Sequence, residues 1–257
     1  MNKFIDRTGE RFRNREDLGS YEFVIVEYNN NKDVWVEFQD EYKSRVHTNM
    51  NACREGNVKN YFHPTIYDVG FIGQGEYKSR INGKQTKEYT EWTSMLARCY
   101  KEEFQNKHHT YKDVEVDKYF HNFQNYCKWR EDNYYEIEGE RMCLDKDILY
   151  KGNKIYAPDK CIFVPERINI LFVKRDIDRG DCPIGVSYYK RTNKYIANCQ
   201  IEDKLKYLGY YNTPKEAFLV YKEFKEAYIK DVADEYKDRI PKELYNAMYK
   251  WEVEIDD

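Results

Sequence analysis

The 257-residue chain is short of several features that would fix its class at once. Its seven cysteines are odd in number and no pair is spaced C-x-x-C, so neither a disulfide framework nor a structural zinc site is expected, and reduced core thiols are. No apolar run is long enough to span a bilayer, and the opening MNKFIDRTGERF lacks a signal-peptide hydrophobic region. The expectation is a cytoplasmic protein with no membrane partner. Internal repeats and low-complexity tracts are absent. So is an overall positive charge: the net is −3, which decides nothing about nucleic acid, because basic residues can still gather on one face.

What the chain does have is polarity and tyrosine. Charged residues make up 35%, and 26 tyrosines supply much of the 41% counted as hydrophobic. A tyrosine buries its ring and keeps a polar tip, so it suits thin cores and also stacks on bases.

Element patterns predict an α+β protein in three segments: a small β module over 1–75, a helix-containing domain over 76–175, and a sheet-plus-helix domain with a helical tail over 183–257. In the first, residues 22–28 and 34–38 read as strands around an Asn-rich turn. Its aromatics read as core, and its basic strip of Arg7, Arg11, Arg13 and Arg15 as a solvated face that also suits phosphate. His47 and His63 lack ligand partners at useful spacing. Gly70, Gly73 and Gly75 read as a flexible connector, with a boundary at 64–80. Helices are predicted at 88–100, from the stripe Tyr89, Trp92, Met95, Leu96 and Cys99, at 117–131, and after Pro165. In the last segment strands are predicted at 184–189, 194–201 and 204–210. A helix follows, opened by Thr213-Pro214-Lys215-Glu216 as a capping box and striped by Ala217, Tyr221, Phe224 and Tyr228.

Four pieces of that last segment stand in a telling order: Gly185-Val186, Lys194-Tyr195-Ile196-Ala197, Leu208-Gly209-Tyr210-Tyr211 and Thr213-Pro214-Lys215-Glu216-Ala217. Over about 50 residues they resemble the DNA-binding domain of plant ethylene-response factors, which phage homing endonucleases also carry. The resemblance implies a three-stranded sheet in the major groove of double-stranded DNA. Its contact positions map to Ser187, Tyr189, Tyr195, Asn198, Gln200 and Tyr207, with Lys190, Arg191, Lys194 and Lys206 added for phosphate. Where that family often has Arg and Trp, this chain has Ser, Tyr, Asn and Gln, a shift that suits adenine. Residues 184–212 carry five cations against Glu202 and Asp203, a net of +3, while 213–257 carry 8 basic and 12 acidic residues, a net of −4. Positive charge is therefore expected on the sheet's DNA-facing side, away from the helix.

The middle segment offers Trp92, Met95, Arg98, Cys99 and Tyr100; then Leu144, Asp145, Lys146 and Asp147; then Gly152, Asn153, Tyr156, Pro158, Cys161 and Asn169. Over about 80 residues this resembles a phage and bacterial family related to HNH endonucleases. The resemblance implies a ββα unit with Asp145, Asp147, Asn153 and Asn169 at catalytic positions, and Asp145 and Asp147 as ligands to Mg²⁺. The general-base position falls on Lys146, and an ordinary lysine, with a pKa of about 10.4, cannot take a proton at neutral pH. His108, His109 and His121 are the nearest substitutes. Three readings stay open: a DNA-binding protein with a degenerate HNH-like centre, an active Mg²⁺-dependent endonuclease, and a phage protein that binds and inhibits a host defence complex in the host cytoplasm.

Overall fold

The computed structural model describes residues 5–173, 182–202 and 204–257, and the architecture is α+β. Two compact units divide it: Met1–Asp132 with Ile155–Pro158, and Asn133–Lys154 with Asp159–Asp257. Each unit combines pieces of more than one of the three sequence segments. Among the described residues no helix is long and apolar enough to cross a membrane.

The first unit opens with an antiparallel meander, β1 (Arg11–Arg13), β2 (Glu22–Asn30), β3 (Asp33–Phe38) and β4 (Arg45–Thr48), paired in that order. Alternation sends Phe23, Ile25, Val34, Val36 and Phe38 inward, where α1 (Met50–Glu55) meets them with Met50 and Cys53. The arginine strip is neutralised locally: Arg7 pairs with Glu10, Arg11 and Arg13 with Glu22, and Arg15 with Asp17.

The Gly70–Gly75 stretch is not the flexible connector that its glycines suggest. A Cβ on Gly70 would meet Leu96 at 2.5 Å, and one on Gly75 would meet the Gln124 side chain at 2.3 Å. The glycines are there for close packing. The same loop explains why the helix predicted over 117–131 is two: Phe71 N–H donates to the His121 carbonyl and the Phe71 carbonyl accepts from Phe123 N–H, both at 2.9 Å. That bridge holds Asn122 extended between α2's partners (with α2 at Lys87–Tyr100), α4 (Lys118–His121) and α5 (Phe123–Asn133). The predicted stripe of Trp92, Met95, Leu96 and Cys99 is buried, and Trp92 Nε1 donates to the Phe120 carbonyl at 2.7 Å. Short pieces complete the unit: β5 (Arg80–Ile81) and β6 (Lys84–Gln85) as a hairpin, α3 (Glu102–Lys107), and the parallel pair β7 (Glu115–Val116) and β9 (Ile155–Tyr156).

In the second unit β8 (Met142–Asp145) pairs antiparallel with β10 (Ile162–Pro165), and α6 (Glu166–Leu171) follows directly, a ββα arrangement. The antiparallel sheet β11 (Val186–Tyr189), β12 (Lys194–Ile201) and β13 (Lys204–Tyr211) comes next. Then α7 (Pro214–Tyr236) starts at the predicted capping box: Thr213 Oγ1 accepts from Glu216 N–H, and Glu216 accepts from Thr213 N–H. One face of α7 serves two cores. Ala217, Phe218 and Tyr221 cover the sheet against Val186, Ala197 and Cys199. Two turns on, Ile229, Val232, Ala233 and Tyr236 join Ile162, Val164 and Ile168 of the ββα block, with Leu244 and Met248 of α8 (Lys242–Tyr249).

Candidate nucleic-acid interface

The face of the sheet turned away from α7 follows from pairing and packing. Val186, Ala197 and Cys199 point to the helix, so Ser187, Tyr189, Lys194, Ile196, Asn198 and Gln200 point away. On β13 the register slips at Ala197/Asn198: Ala197 pairs with Gly209 and Asn198 with Tyr207, leaving Leu208 as an extra residue. Tyr207 and Leu205 therefore lie on the open face with Asn198 and Gln200, and Tyr210 lies there with Ile196. Tyr189, Tyr210 and Tyr207 form a row, with ring centroids 5.8 and 5.3 Å apart. Tyr210 and Leu205 were not among the expected contact residues. The only sequence signal for them is Leu208-Gly209, because the slip there decides which alternate side chains look outward.

Two expected contact residues lie on the other face. Tyr195 packs with the helix-side cluster, and Lys206, opposite Cys199, holds its ammonium 5.2 Å from the Phe224 ring centroid on α7. Lys204 shares that side by alternation. The expectation that the sheet's cations gather on its open side is corrected accordingly. Alternation along β12 gives the open side Lys194, and Lys190 and Arg191 stand on the adjoining β11–β12 turn. None of these three has an ion-pair partner among the described residues. Asp203, counted against the sheet's charge, lies outside the described residues. Gln200 Nε2 donates to the Glu202 carbonyl at 2.8 Å, and Ser187 is exposed.

The Asp145 turn is a closed knot of hydrogen bonds. Asp145 Oδ1 accepts from Asp147 N–H and Ile148 N–H, both at 2.8 Å. The buried Lys146 donates to Asp147 Oδ2 at 2.9 Å and to the Asn153 carbonyl at 3.1 Å, while Asn153 Nδ2 donates back to the Lys146 carbonyl at 2.7 Å. Removal from water and the neighbouring Asp147 carboxylate push Asp145 up to about 6. Asn169 lies on α6.

These residues do not fit a metal centre. Asp147 is engaged by an ammonium and the Asn153 amide nitrogen faces a carbonyl. Among the described residues no three His, Cys, Asp or Glu side chains gather to hold an ion. The candidate substitute bases belong to the first unit: the His108 ring lies tilted against Phe104 with centroids 4.4 Å apart, His109 opens a 3-10 turn, and His121 Nε2 lies 2.9 Å from the Val116 carbonyl. His47 bonds Asp33, and His63 bonds Tyr21. No family model, no curated protein and no solved structure matches this chain.

Proposed function

We propose that the chain is a DNA-binding protein of the phage homing-endonuclease type, in which the β11–β13 sheet reads duplex DNA and the ββα block is a non-cleaving scaffold. The observation that carries this reading is the uncovered sheet face, with its tyrosine row, two amide side chains and a cationic edge turn. Three strands about 4.8 Å apart make a backbone layer about 10 Å wide, which matches a major groove about 12 Å wide. A strand layer docked there offers Asn198 and Gln200 to base edges. Each amide pairs bidentately with adenine, and Gln200 first gives up its bond to the Glu202 carbonyl. Lys190, Arg191 and Lys194 sit at one end of the layer, where a groove wall supplies phosphates.

The non-cleaving role is supported by the Asp145 turn, whose polar groups satisfy each other and whose base position holds a paired ammonium. The test is a gel-shift titration over a randomised duplex pool, followed by incubation with Mg²⁺ or Mn²⁺. Sequence-selective binding without cuts is expected, and N198A/Q200A should lose about 1–3 kcal/mol of discrimination per lost base contact. Specific cuts that disappear in D145A would overturn the scaffold role. Equal selectivity in N198A/Q200A would overturn the reading face.

A further inference from the structure

A second electropositive surface lies in the first unit, far along the chain from the sheet. Residues 77–87, YKSRINGKQTK, hold Lys78, Arg80, Lys84 and Lys87 and no carboxylate. They build the β5–β6 hairpin, whose two-residue turn, Asn82-Gly83, has positive φ at both positions (50° and 79°), the type I′ geometry that suits tight hairpins. Every residue from Arg80 to Gln85 is exposed, and Ile81 at 58% has nothing of this unit covering it. Beside the hairpin is a groove of about 540 Å³, walled by Tyr61, Gly73, Gly75, Lys78, Ser79 and Arg80, with no acidic side chain in its lining.

The groove's shape is fixed from below. Gln124 donates to the carbonyls of Ile72 and Tyr77 and accepts from Tyr77 N–H, so the glycine loop is tied at three points. The N–H groups of Gln74, Gly75, Lys78 and Ser79 donate to no acceptor among the described residues. Lys78, Arg80 and Lys84 have no ion-pair partner among the described residues. The nearby acids are Glu76 in the loop itself and Glu131, which is engaged by the Tyr77 hydroxyl and Lys128. Free backbone donors, hydroxyls and unpaired cations around a pre-shaped groove are the chemistry of phosphate recognition.

We infer that the groove and the β5–β6 hairpin form a second DNA contact that grips the phosphodiester backbone and reads no sequence. The inference rests on the DNA-binding reading above and assigns it a separate, salt-sensitive share. Its test compares full-length wild type, K78A/R80A/K84A, the charge-preserving K78R/R80K/K84R and N198A/Q200A in duplex binding between 50 and 200 mM salt. Removing three phosphate contacts should lower the salt slope by about 2.7, so the loss of affinity across that range shrinks by about 40-fold. Selectivity between sequences should be unchanged, and the charge-preserving variant should keep the wild-type slope. A wild-type slope in K78A/R80A/K84A, with N198A/Q200A still losing selectivity, overturns the groove contact alone. A selectivity change in K78A/R80A/K84A would overturn its sequence-blind role. Failure of the wild type to bind any duplex overturns both readings.

Discussion

Asp145 is an acid held in a place that suits its neutral form. Its raised value, about 6 against an ordinary aspartate near 3.9, means that the folded chain holds the proton more tightly than the unfolded one. Its contribution therefore favours folding below pH about 4 and is lost as pH rises through the window from about 4 to 6. Asp145→Asn keeps an oxygen for the two backbone N–H groups and removes the charge. The stability difference between variant and wild type should grow in favour of the variant across that window and then level off, at no more than about 3 kcal/mol in urea titrations. Lys225 on α7 is the converse case. Removal from water holds its ammonium below the ordinary lysine range, with Cys199 opposing in part. Lys225→Met should raise the denaturation midpoint at neutral pH, and the gain should shrink as pH climbs towards 10 and the wild-type amine sheds its proton. Gly185 is a steric case: its φ is +74°, and a Cβ would stand 2.1 Å from the Tyr221 ring. Gly185→Ala combines left-handed strain with overpacking, and a loss of about 2–5 kcal/mol is expected by chemical denaturation. Tyr195→Ala belongs in the same group, a packing change that lowers stability.

At the scale of the element, the strands and helices announced by period and caps were legible. The capping box at Thr213, the stripe from Trp92 to Cys99 and the alternation in β2 and β3 each state their structure locally. What escaped was set by distant partners. The break at Asn122 is imposed by Phe71, some fifty positions earlier, and no feature of 117–131 reports it. The outward placement of Tyr207 in place of Lys206 depends on one extra residue in β13. Short elements such as β1 and α3 are too brief to leave a period. The Asp145 turn was legible as residues but not as bonds: the sequence places Asn153 seven positions after Lys146, and only folding shows that the two close on each other. Asn153→Ala should remove the amide bond to the Lys146 carbonyl and cost about 1–2 kcal/mol in urea unfolding.

For the whole molecule, a net charge of −3 conceals two cationic segments, the hairpin at 78–87 in one unit and the turn at 190–194 in the other. Total charge is a poor guide to where a polyanion lands. A cluster without carboxylates is a better one. The way α7 serves two cores also sets a constraint on length. At 100° per residue, one residue added between Phe224 and Tyr228 would swing the two apolar patches out of phase, so that only one could stay seated. Seven added residues would restore the phase to within about 20° while lengthening the rod by about 10 Å. Descendants of this chain with altered spacing at that point should therefore differ by whole heptads. An engineered single insertion should make the sheet core and the ββα core melt in separate steps, where the parent loses the two together.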